Sequence, residues 1–355
     1  MVNWLQIIQW PEVKMKTKLI IPNLLKKGDT IGIISPSAGL APFAMHRIDN
    51  AVSFLKKNGF GVLIGRYALE NDGYVSSSIE HRLDDFHSMF SNPQIKAIIC
   101  SIGGNNSNQL LPFIDYKLVK QNPKVFIGYS DISVLHFALQ SRANLATFYG
   151  PCIMTEFGEY PKPLEYTIDA FSKMLLEEDS VIDVKPSKFW TDDAPNWFEK
   201  KDLLGPRKLV KNKGYEWLRK GQAVGFAWGG TIPSITYLLG TKYWVEPKDS
   251  IFFLDIPEGK DIYSGLGLSD VDAYLTNLEN AGVFGEVKGL LVGRPYRYSE
   301  DDHKKLKEII LRIASNYRFP ILYNVDIGHT NPIITLRYGQ KIELNSRDEL
   351  FRILR

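Results

Sequence analysis

The feature that most constrains this 355-residue chain is an alternation, through its first half, of short β-branched runs with amphipathic helical patterns. TIGIISPS (30–37) reads as a strand entering a turn, and HRIDNAVSFLKKNG (46–59) as a helix closed by Gly59. GVLIGR (61–66) is a strand, SSIEHRLDDFHSMFSN (77–92) a helix, and IKAIICSIGG (95–104) a strand. NQLLPFID (108–115) reads as a helix, then KVFIGYSD (124–131) as a strand entering the helix ISVLHFALQSR (132–142). Strands separated by helices of this length cannot pair as hairpins. They imply a parallel sheet covered on both faces.

At 355 residues the chain exceeds one ordinary core, so two units are expected. The first is an N-terminal open, mostly parallel, doubly wound α/β domain over residues 15–180. From about residue 155 the pattern loosens, and 181–220 reads as a linker or lid loop. Strand-like runs resume at AVGFAWGG, SIFFLDIP, GLLVGRPY, FPILYNVDIGH and the hairpin-like ITLRYGQKIEL. With two helices among them they predict a smaller C-terminal α/β domain over residues 221–355. Residues 1–14 precede the first convincing strand and read as a peripheral extension or a start-site artefact.

Composition removes several function classes. The 43 basic residues nearly balance 40 acidic ones, without the basic stripe of a nucleic-acid binder. No apolar run reaches the roughly 18 residues of a membrane span, and the N-terminus lacks the pattern of a signal peptide. Cys100 and Cys152 have no metal-ligand or CxxC spacing. No metal or organic cofactor is expected, and a reduced cytoplasm is the simplest location. No G-x-G-x-x-G follows the first strand, where GIISPSAG stands, which discounts a dinucleotide-dependent oxidoreductase.

Candidate chemistry gathers at the carboxyl ends of strands. Ser130 lies in PKVFIGYSDISVLHFALQ, at a strand-to-helix corner that projects a hydroxyl and aims helix amides at one point. It is a nucleophile or an ordinary N-cap serine. Gly103 and Gly104, on the same edge, let backbone N–H groups approach an oxyanion or simply form a turn. Of the six histidines, His46, His81, His87 and His303 read as solvated on helices, and His136 faces away from the corner. His329, after an apolar strand and a glycine, is the candidate general base or a structural loop residue. Asp255, ending SIFFLD, is the candidate that orients it or a turn cap; Glu258 stands three residues on. Arg82, Arg294 and Arg337 are candidate partners for a substrate anion.

Taken together and in order, GDTIGIISPSAG, SIGGNNSNQLLPFID, PKVFIGYSD, TFYGP, AWGGTIPSITYLLGT, IFFLDIPE, GLLVGRP and NVDIGHTNP resemble the L,D-carboxypeptidase family of serine peptidases. They span about residues 20 to 345. The resemblance implies a Ser–Glu–His triad assembled across the interface of the two domains. By position it makes Ser130 the nucleophile, His329 the base, and the amides of Gly104 and Asp131 the oxyanion hole, with Gly103 beside the substrate. The family glutamate falls on Asp255, one methylene shorter, which demands a backbone adjustment or a different rotamer unless Glu258 substitutes. One branch of the family recycles murein tetrapeptides. The other, conferring microcin C immunity, cleaves the amide between an aminoacyl group and a nucleotide analogue. GHTNP and the tryptophan-bearing segment 190–217 are closer to the second. Trp190 or Trp197 then stacks on a nucleobase, or both pin the linker to the core. The implied partner is a small peptide or peptidyl-nucleotide substrate, not nucleic acid or membrane; a homodimer is allowed. The Asp255 departure keeps a catalytically silent binding protein as the reading of a different class.

Overall fold

The computed structural model describes residues 19–179 and 181–354. The extension read over residues 1–14 therefore lies outside the described residues. The first half contains strands β1 (Thr30–Ile34), β2 (Gly61–Ile64), β3 (Ile95–Cys100), β4 (Val125–Gly128) and β5 (Phe148–Tyr149). Between and after them lie helices α1 (Met45–Lys57), α2 (Ile79–Ser91), α3 (Tyr116–Gln121), α4 (Ser133–Ala143) and α5 (Glu165–Leu175). Strands β6 (Val181–Asp183), β7 (Phe189–Trp190), β8 (Val210–Lys211), β9 (Glu216–Arg219) and β10 (Gln222–Thr231) follow. The chain closes with β11 (Ser250–Asp255), β12 (Gly289–Gly293), β13 (Ile321–Val325), β14 (Leu336–Arg337), β15 (Lys341–Asn345) and β16 (Leu350–Leu354).

The first sheet has the order β14-β5-β4-β3-β1-β2, with β1 to β5 mutually parallel and β14 antiparallel on the edge. Chain direction reverses its progress between β1 and β3. The loops after those strands therefore diverge and open a crevice at their carboxyl ends. The second sheet runs β6-β16-β15-β10-β11-β12-β13-β9, with a parallel centre from β10 to β13 and antiparallel flanks. This is the mixed, parallel-rich α/β architecture that the strand–helix alternation implied.

Helix α4 is the joint between the sheets. Every residue from Ser133 to Gln140 is buried, so the helix is enclosed all round rather than along one stripe. Phe137 packs on Trp228 of β10 at 4.3 Å, and Ser133 Oγ accepts from the Thr231 N–H at 3.1 Å. The Ser130 corner is thereby fixed against the strand that neighbours β11.

Four local expectations are corrected. The segment 108–115 is not a helix: a 3₁₀ turn covers Ser107–Leu110, and the helix waits for Asp115, whose carboxylate caps Lys117 and Leu118. ITLRYGQKIEL is not a hairpin. Its first arm, β14, joins the first sheet beside β5, whereas β15 pairs with β10 and β16. The segment 181–220 is more than a linker, because β6 and β9 form both edges of the second sheet and β7 with β8 makes a short ribbon. Finally, His46, His87 and His303 are not free in solvent. His46 Nε2 lies 2.9 Å from Asp202, His87 accepts the Asp115 N–H, and His303 contacts the Tyr323 hydroxyl. Among the described residues no helix is long and apolar enough to cross a membrane.

Candidate active site

Ser130 sits two residues past the end of β4 with φ 63°. A non-glycine residue held in that left-handed region costs about 1–3 kcal/mol, so the surrounding structure must enforce it. The neighbour that permits the corner is Gly103: a Cβ there would lie 2.7 Å from Ser130 Cβ and 2.9 Å from its Oγ. Asp131 supplies the clamp beneath. Its Oδ2 accepts from Ser37 Oγ at 2.6 Å and from the Ser107 N–H at 2.8 Å, and Ser107 Oγ donates to its carbonyl. The loops after β1 and β3 are thus tied under the nucleophile. Among the described residues, neither the Gly104 N–H nor the Asp131 N–H has a protein acceptor. Both stand free as the candidate oxyanion donors.

The second sheet delivers the candidate base. His329 Nε2 is 3.0 Å from Ser130 Oγ, and its Nδ1 is 3.0 Å from Asp255 Oδ1 and 2.8 Å from Oδ2. Asp255 is 0% exposed, and its Oδ2 accepts from Tyr149 at 2.5 Å and Thr231 at 2.7 Å. Gly328 explains how the short carboxylate reaches the ring. A Cβ at Gly328 would stand 1.8 Å from Asp255 Oδ1, and its φ is 93°. The space a side chain would fill is given to the carboxylate.

Glu258 approaches the other ring nitrogen: its Oε2 is 3.4 Å from His329 Nε2. It therefore stands on the serine side of the imidazole and cannot orient Nδ1–H. Burial is the largest single influence on His329 and opposes charging it, but the Asp255 charge and hydrogen bond together with the Glu258 and Glu156 charges outweigh it, and the pKa is pushed up to about 9. His136 is the opposite case. Burial lowers its pKa to about 3, and its Nε2 contacts the Gly128 carbonyl, so it is a neutral strut behind the corner.

The three candidate arginines divide. Arg82 is buried and holds the carbonyls of Pro36 and Asn106 and the Gln109 side chain, bracing the nucleophile loops. Arg294 is buried in an ion pair with Asp326 at 2.7 Å and contacts Asn324 and Thr330. Both are committed to protein. Arg337 lies on β14 opposite Phe148. The tryptophans also divide. Trp197 packs against the core with the Arg47 guanidinium 4.3 Å from its ring centroid. Trp190 has Arg294 at 5.0 Å and precedes Thr191, which exchanges backbone hydrogen bonds with Asn331, two residues past His329. Residues the sequence reading missed are Tyr149, Thr231, Gly328 and Asp326. TFYGP and AWGGT marked the first two as segments without revealing that both hydroxyls hold Asp255.

Residues 31–150 match the LD-carboxypeptidase N-terminal domain, and 224–344 match the LD-carboxypeptidase C-terminal domain. A putative carboxypeptidase of Treponema pallidum is 34% identical, the match covering 91% of each chain. The microcin C7 self-immunity protein MccF of Escherichia coli is 32% identical over 90% of this chain and 92% of its own. A probable murein peptide carboxypeptidase of Bacillus subtilis is 28% identical over 92% of both. The solved structure of MccF in complex with aspartyl sulfamoyl adenosine superposes with a TM-score of 0.86 at 31% identity, covering 95% of this chain and 98% of that one.

Proposed function

The chain belongs to the LD-carboxypeptidase family, and from that premise we propose that it is a serine-type amidase hydrolysing aminoacyl- or peptidyl-nucleotide amides of the microcin C kind. The observation that carries this reading is the continuous relay from Asp255 through His329 to Ser130, at 3.0 Å per contact, beside two uncommitted amides. A silent binding protein has no use for that relay. The likeness to a structure holding aspartyl sulfamoyl adenosine supports the substrate class.

In this mechanism His329 Nε2 accepts the Ser130 proton as Oγ attacks the amide carbonyl. The amides of Gly104 and Asp131 receive the negative oxygen. The proton then passes to the leaving nitrogen, the acyl group stays on Oγ, and water enters with the same histidine as base. Asp255 holds the proton-bearing nitrogen and stabilises the imidazolium. Trp190 is the residue assigned to stack on the nucleobase, since the Thr191–Asn331 bridge ties its strand to the histidine loop. Such a stack is worth about 1–3 kcal/mol. Trp197 serves the core. Both buried cysteines are free, in keeping with a cytoplasmic setting.

The second reading, release of terminal D-alanine from a murein tetrapeptide, is favoured by the Bacillus subtilis relative. Incubation with alanyl-sulfamoyl adenosine and with a murein tetrapeptide, read by mass spectrometry, separates the two. The expected result is cleavage of the nucleotide compound and its loss in Ser130→Ala. Cleavage of the tetrapeptide alone would reverse the assignment.

A further inference from the structure

The relay accounts for Asp255 but leaves Glu258 without a task. Its backbone is fixed by a bridge to Gly265, in a loop closed by Gly259 N–H to the Ser264 carbonyl and Leu266 N–H to the Pro257 carbonyl. Its side chain is 38% exposed, and its ion-pair partner among the described residues is His329 alone. No lysine or arginine of the described residues pairs with it. A carboxylate standing 3.4 Å from Nε2, with no lysine or arginine partner among the described residues, presents its remaining lone pairs to whatever occupies the site. Asp255, Glu258 and Glu156 all favour the charged form of His329.

We propose that Glu258 seats the free α-ammonium group of the acyl moiety, making the enzyme selective for aminoacyl compounds over N-acylated ones. The inference rests on the amidase reading above and narrows its substrates from aminoacyl- or peptidyl-nucleotides to a preference for the aminoacyl ones. The geometry suits that group. An α-nitrogen is two bonds from the carbonyl carbon that Ser130 attacks, so it is carried next to the His329–Ser130 contact. An ammonium–carboxylate hydrogen bond needs a separation of about 2.7–2.9 Å, which a side chain in this position can reach. In a peptide the nitrogen at this position is acylated, uncharged and bulkier. The seat thus distinguishes an aminoacyl nucleotide from an internal peptide residue. It also couples recognition to chemistry. An ammonium bound to Glu258 offsets the charge that holds the imidazolium, which favours the neutral base when the right substrate is present.

The test compares alanyl-sulfamoyl adenosine, whose side chain carries no charge, with its N-acetyl derivative in wild type, Glu258→Gln and Glu258→Asp. Wild type is expected to prefer the free amine by about tenfold to a hundredfold in kcat/KM, the range of a hydrogen bond to a charged group. Glu258→Gln should bring the ratio close to one by slowing the free-amine substrate, and Glu258→Asp should retain part of the preference. Turnover of the N-acetyl compound by the variant shows that it is folded. Equal preference in wild type and Glu258→Gln, or no preference in wild type, overturns the seat while leaving the amidase reading intact. Cleavage of a murein tetrapeptide with neither nucleotide compound touched overturns both.

Discussion

The two sides of this catalytic interface are held by different physics. On the nucleophile side, hydroxyls, backbone amides and a left-handed serine are locked by Asp131, Ser37 and Ser107, and the charged parts are turned away from the reacting atoms. On the base side, charge itself does the holding: Asp255 and Glu258 bracket the imidazole, and Arg294 pairs with Asp326 just behind. Hydrogen bonds from hydroxyls and amides to one buried carboxylate define shape. Ion pairs around a titrating ring define its protonation and change with pH and salt. One side thus sets where the carbonyl must sit, and the other sets when the proton can move.

The sharpest break in that division comes from Asp255→Asn. The carboxamide keeps the volume but loses the charge and one acceptor. It can no longer serve Tyr149, Thr231 and Nδ1–H together. The imidazole is then free to adopt the tautomer that points a proton at Ser130. In serine-protease triads the same change costs about 10⁴-fold in kcat. The expected outcome is a loss of that order with KM little changed. A loss below tenfold would show that the charge on this side is dispensable.

A smaller effect is expected from Gly328→Ala, which tests whether the base side also depends on shape. The new Cβ would stand 1.8 Å from Asp255 Oδ1, so the carboxylate must retreat or the loop must shift. A misplacement of about 1 Å in a catalytic contact costs about 10²-fold. The φ of 93° adds strain of about 1–3 kcal/mol, seen as a lower Tm. Unchanged kcat with a lower Tm would limit Gly328 to a structural role.

The same division explains what was legible in the sequence. Backbone-built features leave local signatures: the strand–serine–helix corner, the paired glycines and the alternation itself all lie within a few residues. Ser130, Gly103 and Gly104 were therefore visible as one edge of one sheet. The charge-built side draws on residues far apart in the chain. Tyr149 reaches Asp255 across 106 positions, and Arg294 fills its valences with Asp326, so its position could suggest a ligand but not exclude one. Between Asp255 and Glu258 the sequence offered two carboxylates on one loop. Only the ring's two nitrogens, facing opposite ways, separate their tasks. The connector 181–220 hid its strands for a related reason. Edge strands of two to four residues carry too little periodicity to announce themselves.

The finest test of the comparison is the pH profile. His329 works as a base only when neutral, and its pKa is pushed up to about 9. Hydrolysis should therefore climb as pH rises from neutrality and level off near that value. Glu258→Gln removes one of the carboxylates that favour the imidazolium, so the rising limb should move to lower pH. Raised salt should move the limb the same way, because Glu258 is partly open to solvent and can be screened. Stability follows with a definite sign. The folded pKa lies above the ordinary histidine value of about 6.5, so protonated His329 stabilises the fold fully below that value. That contribution is lost as pH rises through about 9. Activity should thus increase over the same window in which Tm declines. The nucleophile side should not join in: Ser37→Ala, which removes a hydroxyl from the Asp131 clamp, should lower kcat without moving the limb. A limb that shifts in Ser37→Ala but not in Glu258→Gln would show that protonation is governed from the nucleophile side after all.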